Sequence, residues 1–181
     1  MSARRLLASM VCLLFLAAPA RAKRLDTARL LLRDVPGSGG SWQEGSAVVA
    51  APVDEVRHWL TDYPAWPKRF DDIEWSQALA DDAAGRHVVR FRSRIAGRTL
   101  TVHEAVTKHL ISFEGDGPEV HTQGRIWLLD AGGGATRVIM QSTSEVHGLL
   151  GLFATRGLKR RRAFEVIQAD LDSLLALAGR R

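Results

Sequence analysis

The spacing of apolar residues changes three times along this chain. Ala47 to Ala50 is a short apolar run that reads as a strand, and Ala51-Pro52 follows it directly. Val56, Trp59, Leu60 and Tyr63 then recur at i, i+3, i+4 and i+7, which is one apolar face of a helix. Proline at the first helical position loses no hydrogen bond, because that N–H has no partner within a helix. Asp54 and Glu55 occupy the first turn, where carboxylates meet the positive end of the helix dipole. Tyr63-Pro64 ends the helix, since the residue before a proline is pushed out of the α region. Trp66 to Phe70 reads as a second short helix or turn.

From Ile73 the period becomes two. Ile73, Trp75, Gln77 and Leu79 alternate with polar neighbours, and Val89, Phe91, Ser93 and Ile95 alternate with Arg90, Arg92 and Arg94. These are strand signals, with the arginines on the solvent side. Ala96-Gly97 fits a two-residue hairpin turn. Leu100 to Val106, Leu110 to Glu114, Val120 to Leu129 and Ala135 to Val146 continue the series, with Gly115-Asp116-Gly117-Pro118 and Gly132-Gly133-Gly134 read as turns. Helical spacing returns at Phe164, Ile167, Leu171, Leu174 and Ala178. Short turns between consecutive strands imply antiparallel pairing. The fold class is therefore α+β: a curved antiparallel sheet of about seven strands counting Trp42 to Ala50, two short helices after the first strand, and a long C-terminal helix. That helix must bury its apolar face, and the concave side of the sheet is the surface available.

The N-terminus is a separate object. Arg4-Arg5, an apolar run from Leu6 to Ala18 and the Ala20-Arg21-Ala22 ending read as a signal peptide cut after Ala22. The run is too short to span a bilayer, which needs ~20 residues. The address expected is secreted or periplasmic, by either the general or the twin-arginine route. Residues 23–40 follow as a lead, with an apolar patch at Leu30-Leu31-Leu32 and a flexible Pro36-to-Gly40 breaker. The one cysteine, Cys12, leaves with the signal, so the mature chain has no disulfide and no thiolate. Of 25 Lys and Arg, Arg4, Arg5 and Arg21 are lost, leaving 22 against 20 acidic residues and lowering the net charge from +5 to +2. The remaining excess is local, concentrated at Arg156, Lys159, Arg160, Arg161 and Arg162 and at Arg180-Arg181.

No motif assigns chemistry outright. The six histidines make none of the spacings of a zinc site, and there is neither a nucleophile elbow nor a phosphate loop. No metal and no cofactor are expected. What remains is the inward set: Trp75, Phe91, Val102, Trp127, Met140, Phe164, Ile167 and Leu171. These residues either fill the core or line an apolar cavity between sheet and helix. Glu104 shares a strand face with Leu100 and Val102. Turned inward, its carboxyl would be pushed up by desolvation and could serve as acid or base; otherwise it is solvated or paired with Arg94 or Arg98. In a helix running from about Thr155 to Ala178, Arg156 and Arg160 continue the apolar stripe. They should emerge at a rim with their guanidinium groups in water. With Lys159, and with Leu149, Leu150, Leu152 and Phe153 as an apolar lip, they form a candidate contact with a membrane or an anionic headgroup.

Ala-Ala-Pro-Val-Asp-Glu-Val-Arg-His-Trp-Leu-Thr-Asp-Tyr-Pro-Ala-Trp-Pro, residues 50–67, resembles the opening of START-type domains. These belong to the helix-grip superfamily that includes polyketide cyclases, birch-pollen-allergen-like proteins and coenzyme-Q-binding proteins. The resemblance covers about Trp42 to Ala178 and implies a START-type domain over residues 41–179. It implies a helix-grip fold with a cavity for a sterol, phospholipid, quinone or polyketide. Some members are cyclases or dehydratases, but no Arg-Tyr-His cluster of a cyclase is visible, and Tyr63 is the single tyrosine. The expectation is an exported, monomeric binding or carrier protein for a hydrophobic small molecule, without a nucleic-acid partner. The rivals are an enzyme using Glu104 or a pocket histidine, and a protein-interaction module with a closed core.

Overall fold

A computed structural model describes residues 30–148 and 155–180. The signal-peptide segment and the apolar residues at 149–153 lie outside them. Among the described residues, β1 (Leu31–Asp34) and β2 (Gln43–Val49) lead into α1 (Val53–Thr61), a 3-10 turn (Tyr63–Ala65) and α2 (Trp66–Arg69). Six strands follow: β3 (Ile73–Ala78), β4 (His87–Ser93), β5 (Arg98–Val106), β6 (Leu110–Gly117), β7 (Val120–Gly132) and β8 (Ala135–Val146). The long α3 (Arg156–Gly179) closes the chain.

All strands form one antiparallel sheet in the order β1-β2-β8-β7-β6-β5-β4-β3. The sheet thus has eight strands rather than about seven. The extra one is β1, in the segment expected to be a lead. It has four residues, too few for alternation to be visible, but Leu32 packs against the core while Leu31 is 53% exposed on the other face.

Thr155 caps α3, its hydroxyl accepting from the Leu158 N–H at 3.3 Å, and the helix runs unbroken past Gly157. Its C-terminal half is seated on β2. The seat is Gly45: a side chain there would meet the Ile167 methyl, and also Leu171 Cδ1 and Leu32 Cδ2, both at 3.0 Å. Bare backbone at this position lets helix and sheet approach closely, and Ile167, Leu171 and Leu174 are buried as a result. At the other end of the core, Trp66 meets Tyr63, Phe70 and Phe91 edge-to-face at 5.2, 6.1 and 5.5 Å, a favoured aromatic arrangement. Trp66 Nε1 donates to the Leu60 carbonyl at 3.1 Å, which satisfies the one polar atom of that ring.

Candidate functional site

The N-terminal half of α3 does not rest on the sheet. Between them lies a cavity of about 490 Å³, within the size range of small-molecule sites. Its walls are mainly apolar, from Phe91, Val102, Ile111, Ile126, Met140 and Ile167 among others. Behind that lining, glycines on the inner faces of β6 and β7 let neighbouring side chains pack against bare backbone. Gly115 and Gly117 sit on the inner face of β6, where a Cβ would press on Val102 at 2.6 Å and on Leu100 at 2.8 Å. Gly124 on β7 is covered by the Phe113 ring. The Gly115-to-Pro118 segment read as a turn is therefore strand as far as Gly117. Its glycines make room for Val102 and Leu100 of β5 rather than for a reversal of the chain.

Of the eight residues expected to line a cavity, Phe91, Val102, Met140 and Ile167 do so, and Trp75, Trp127, Phe164 and Leu171 do not. Trp75 fails because of a bulge. The β3–β4 register shifts between Ile73 and Trp75, so Trp75 pairs with Arg92 and is 36% exposed, while Ser76 takes the inner position opposite Phe91. An extra residue in one strand reverses the alternation beyond it. Trp127 lies on the other parity of β7, whose inner residues Thr122, Ile126 and Leu128 have even numbers; the indole is half-buried on the outer face. Phe164 is half-buried on the flank of α3, under the Arg160 guanidinium at 5.0 Å. Leu171 is wholly buried over Gly45, in solid core.

Glu104 takes the inward orientation. It is 6% exposed, lines the cavity and pairs with neither Arg94 nor Arg98. The Tyr63 hydroxyl donates to its Oε2 at 3.1 Å; Oε1 has no partner among the described residues. Desolvation pushes the Glu104 carboxyl up to about 7, against a smaller lowering by the Tyr63 hydrogen bond. Burial and the adjacent carboxyl push Tyr63 upward as well, so the phenol stays a donor. His103, next along β5, points to the opposite face and pairs with Asp82 at 2.9 Å. Among the described residues no group of side chains could hold a metal ion.

Sequence reasoning missed a second acidic position. Asp72 accepts from the Ser93 hydroxyl at 2.7 Å and from the Ile95 N–H at 2.6 Å, which occupies both of its oxygens. Asp170, on α3, lines the cavity beside it, and desolvation and then the Asp72 charge push its carboxyl up to about 8. The signal was present: Asp170 falls three residues after Ile167, on the same helix face. Of the basic cluster, Arg156 reaches back to Gly40, and Arg160 is tied to Asp34 at 2.7 Å. Both emerge beside the β1–β2 hairpin. Lys159, from the expected cluster, and Arg162 line the cavity.

A family model described as polyketide cyclase/dehydrase and lipid transport matches residues 44–179. Among solved structures, a START superfamily protein from Mycobacterium smegmatis superposes with a TM-score of 0.65 at 17% identity, covering 77% of this chain and 97% of that one. The Zhui aromatase/cyclase from Streptomyces sp. R1128 gives 0.64 at 23% identity, covering 83% and 96%. A conserved protein from Geobacillus kaustophilus gives 0.58 at 17%, covering 77% and 95%. At these identities the likeness is one of fold. No curated protein matches the sequence.

Proposed function

This chain belongs to the polyketide cyclase/dehydrase and lipid transport family, and from that premise we propose that it is a carrier that holds a hydrophobic small molecule between sheet and α3. The observation that carries the proposal is the apolar cavity of about 490 Å³ on the concave face, between the sheet and α3. Burying apolar surface supplies about 25 cal/mol per Å², so such a wall favours an apolar ligand without demanding particular polar groups of it. Ala163 lines the cavity from the helix and is half-buried. Ala163→Trp should fill the space and weaken binding of an environment-sensitive apolar dye at least roughly tenfold, about 1.4 kcal/mol, with the far-ultraviolet circular dichroism retained. Unchanged dye binding in a folded variant would place the dye elsewhere and count against the carrier reading.

The Glu104–Tyr63 pair supports a second reading, in which the same cavity turns over a polyketide-like substrate by proton transfer. A carboxyl that exchanges its proton near neutrality suits general acid–base work. The readings separate at Glu104→Gln, which would abolish turnover in an enzyme and leave apolar binding in place in a carrier.

The pattern of residues 1–22 supports export. N-terminal sequencing of the protein from a periplasmic or culture fraction should begin at Lys23. A cytoplasmic product beginning at Met1 or Ser2 would overturn the address.

A further inference from the structure

Two charged groups of the cavity stand at opposite ends of one strand face. Arg98, Leu100, Val102 and Glu104 occupy alternate positions of β5, and all four line the cavity. At ~3.4 Å per residue, Arg98 and Glu104 lie about 20 Å apart. Arg98 is the half-buried end of this row and Glu104 the buried one. Its Nε donates to the Ala96 carbonyl at 3.2 Å and its Nη1 to the Pro118 carbonyl at 3.4 Å, so the guanidinium is held at the β4–β5 and β6–β7 turns. The start of α3 lies at this same end of the sheet. Arg160 joins Asp34, whose β-partner Gln43 is the first residue of β2, and β2 begins where β8 is ending. Lys159, on this first part of the helix, faces the cavity. Among the described residues neither Arg98 nor Lys159 has a carboxylate within ion-pairing distance, whereas Arg162 is bound to Glu165 at 2.8 Å.

Resting on the carrier reading, we propose that the ligand is an amphipathic anion, with a carboxylate or phosphate head held by Arg98 and Lys159 at the mouth and an apolar body running over Leu100 and Val102 toward Glu104. Two cations without a carboxylate partner at the rim of an apolar chamber match an anion that brings its own tail. A guanidinium already fixed through two of its nitrogens offers its remaining donors to such a head with little further ordering. A cationic head would be repelled at the same rim. Of the acids inside, burial drives Asp170 and Glu104 toward their neutral forms, and the Asp72 carboxylate is engaged by the Ser93 hydroxyl and the Ile95 N–H.

The test compares ligands of one chain length, palmitate, hexadecyl phosphate, hexadecanol and hexadecylamine, by displacement of the apolar dye near neutral pH. The carboxylate and the phosphate should each bind roughly tenfold more tightly than the alcohol, since a charge-assisted hydrogen bond is stronger than a neutral one. The amine should rank last. Arg98→Gln/Lys159→Gln should erase the anion's advantage and leave hexadecanol affinity unchanged, which also shows that the variant is folded. Arg98→Lys should retain part of the advantage. If palmitate binds the double variant as tightly as the unaltered protein, or the amine ranks first, the proposal is overturned while the cavity reading stands. If none of the four displaces the dye, both fail together.

Discussion

Leu171→Ala is expected to be the most destabilising single truncation in the helix–sheet joint. The cost should be about 3–4 kcal/mol, or roughly 7–14 °C in Tm for a domain of this size. Leu171 is completely buried, and its Cδ1 stands over Gly45, where no side chain on β2 can move in to replace it. Strand backbone relaxes little, so the space left behind would persist, and cavity cost adds to the lost transfer energy. Because Leu171 does not line the ligand cavity, the folded fraction should still bind an apolar dye with unchanged affinity. Phe164→Ala is the comparison. That ring is half-buried on the flank of the helix, so its loss should cost much less than truncation of a buried aromatic. Denaturant unfolding of both variants checks this. A loss below about 1 kcal/mol at Leu171 would mean that α3 is not seated on Gly45.

The second large effect is a pH dependence with an unusual sign. The Glu104 carboxyl titrates at about 7 in the folded protein against an ordinary 4.5, so the folded state holds this proton more tightly than the unfolded one. Its contribution is fully favourable below pH 4.5. It is lost as pH rises from there to about 7, where the buried group must ionise. At about 1.4 kcal/mol per pH unit the loss amounts to about 3 kcal/mol by pH 8. Asp170, pushed up to about 8, acts in the same direction. Glu104→Gln keeps an acceptor for the Tyr63 hydroxyl and has no proton to lose. It should therefore be about as stable as the unaltered protein at pH 4 and about 3 kcal/mol more stable at pH 8, with the slope due to Asp170 remaining. Unfolding curves at several pH values measure this directly. Parallel profiles for the two proteins would show that Glu104 is not desolvated, and would remove it from the cavity wall.

Much of the fold was legible because period-two and helical spacing survive wherever one face of an element is buried. The apolar face of α1 and the stripe of α3 at Ile167, Leu171 and Leu174 appear in the structure as read. Parity was harder. Trp75 is on a strand as expected, but a single bulged residue after Ile73 moves it to the outer face, and a bulge leaves no trace in the hydrophobic pattern. Trp127 invites an inward assignment because it is large and aromatic, yet its smaller neighbours Ile126 and Leu128 are the ones turned inward. The cavity itself was the least legible feature. It is walled by residues from β4 to β8 and α3 that are distant in the chain, and a glycine such as Gly115 looks the same in sequence at a turn as on the concave face of a strand. Glu104 could be placed on the inner face by alternation, but its partner Tyr63 lies 41 residues away, beyond any local pattern. Asp170 stood on the apolar stripe of α3, and reading that stripe only for its hydrophobic members passed over it.

The most direct measurement of the carrier reading is native mass spectrometry of the mature protein, purified without detergent, before and after extraction with organic solvent. The account predicts a population carrying the additional mass of an apolar molecule, removed by extraction and absent from Ala163→Trp. A protein that is ligand-free as purified and binds no member of a panel of lipids, fatty acids and quinones would contradict it.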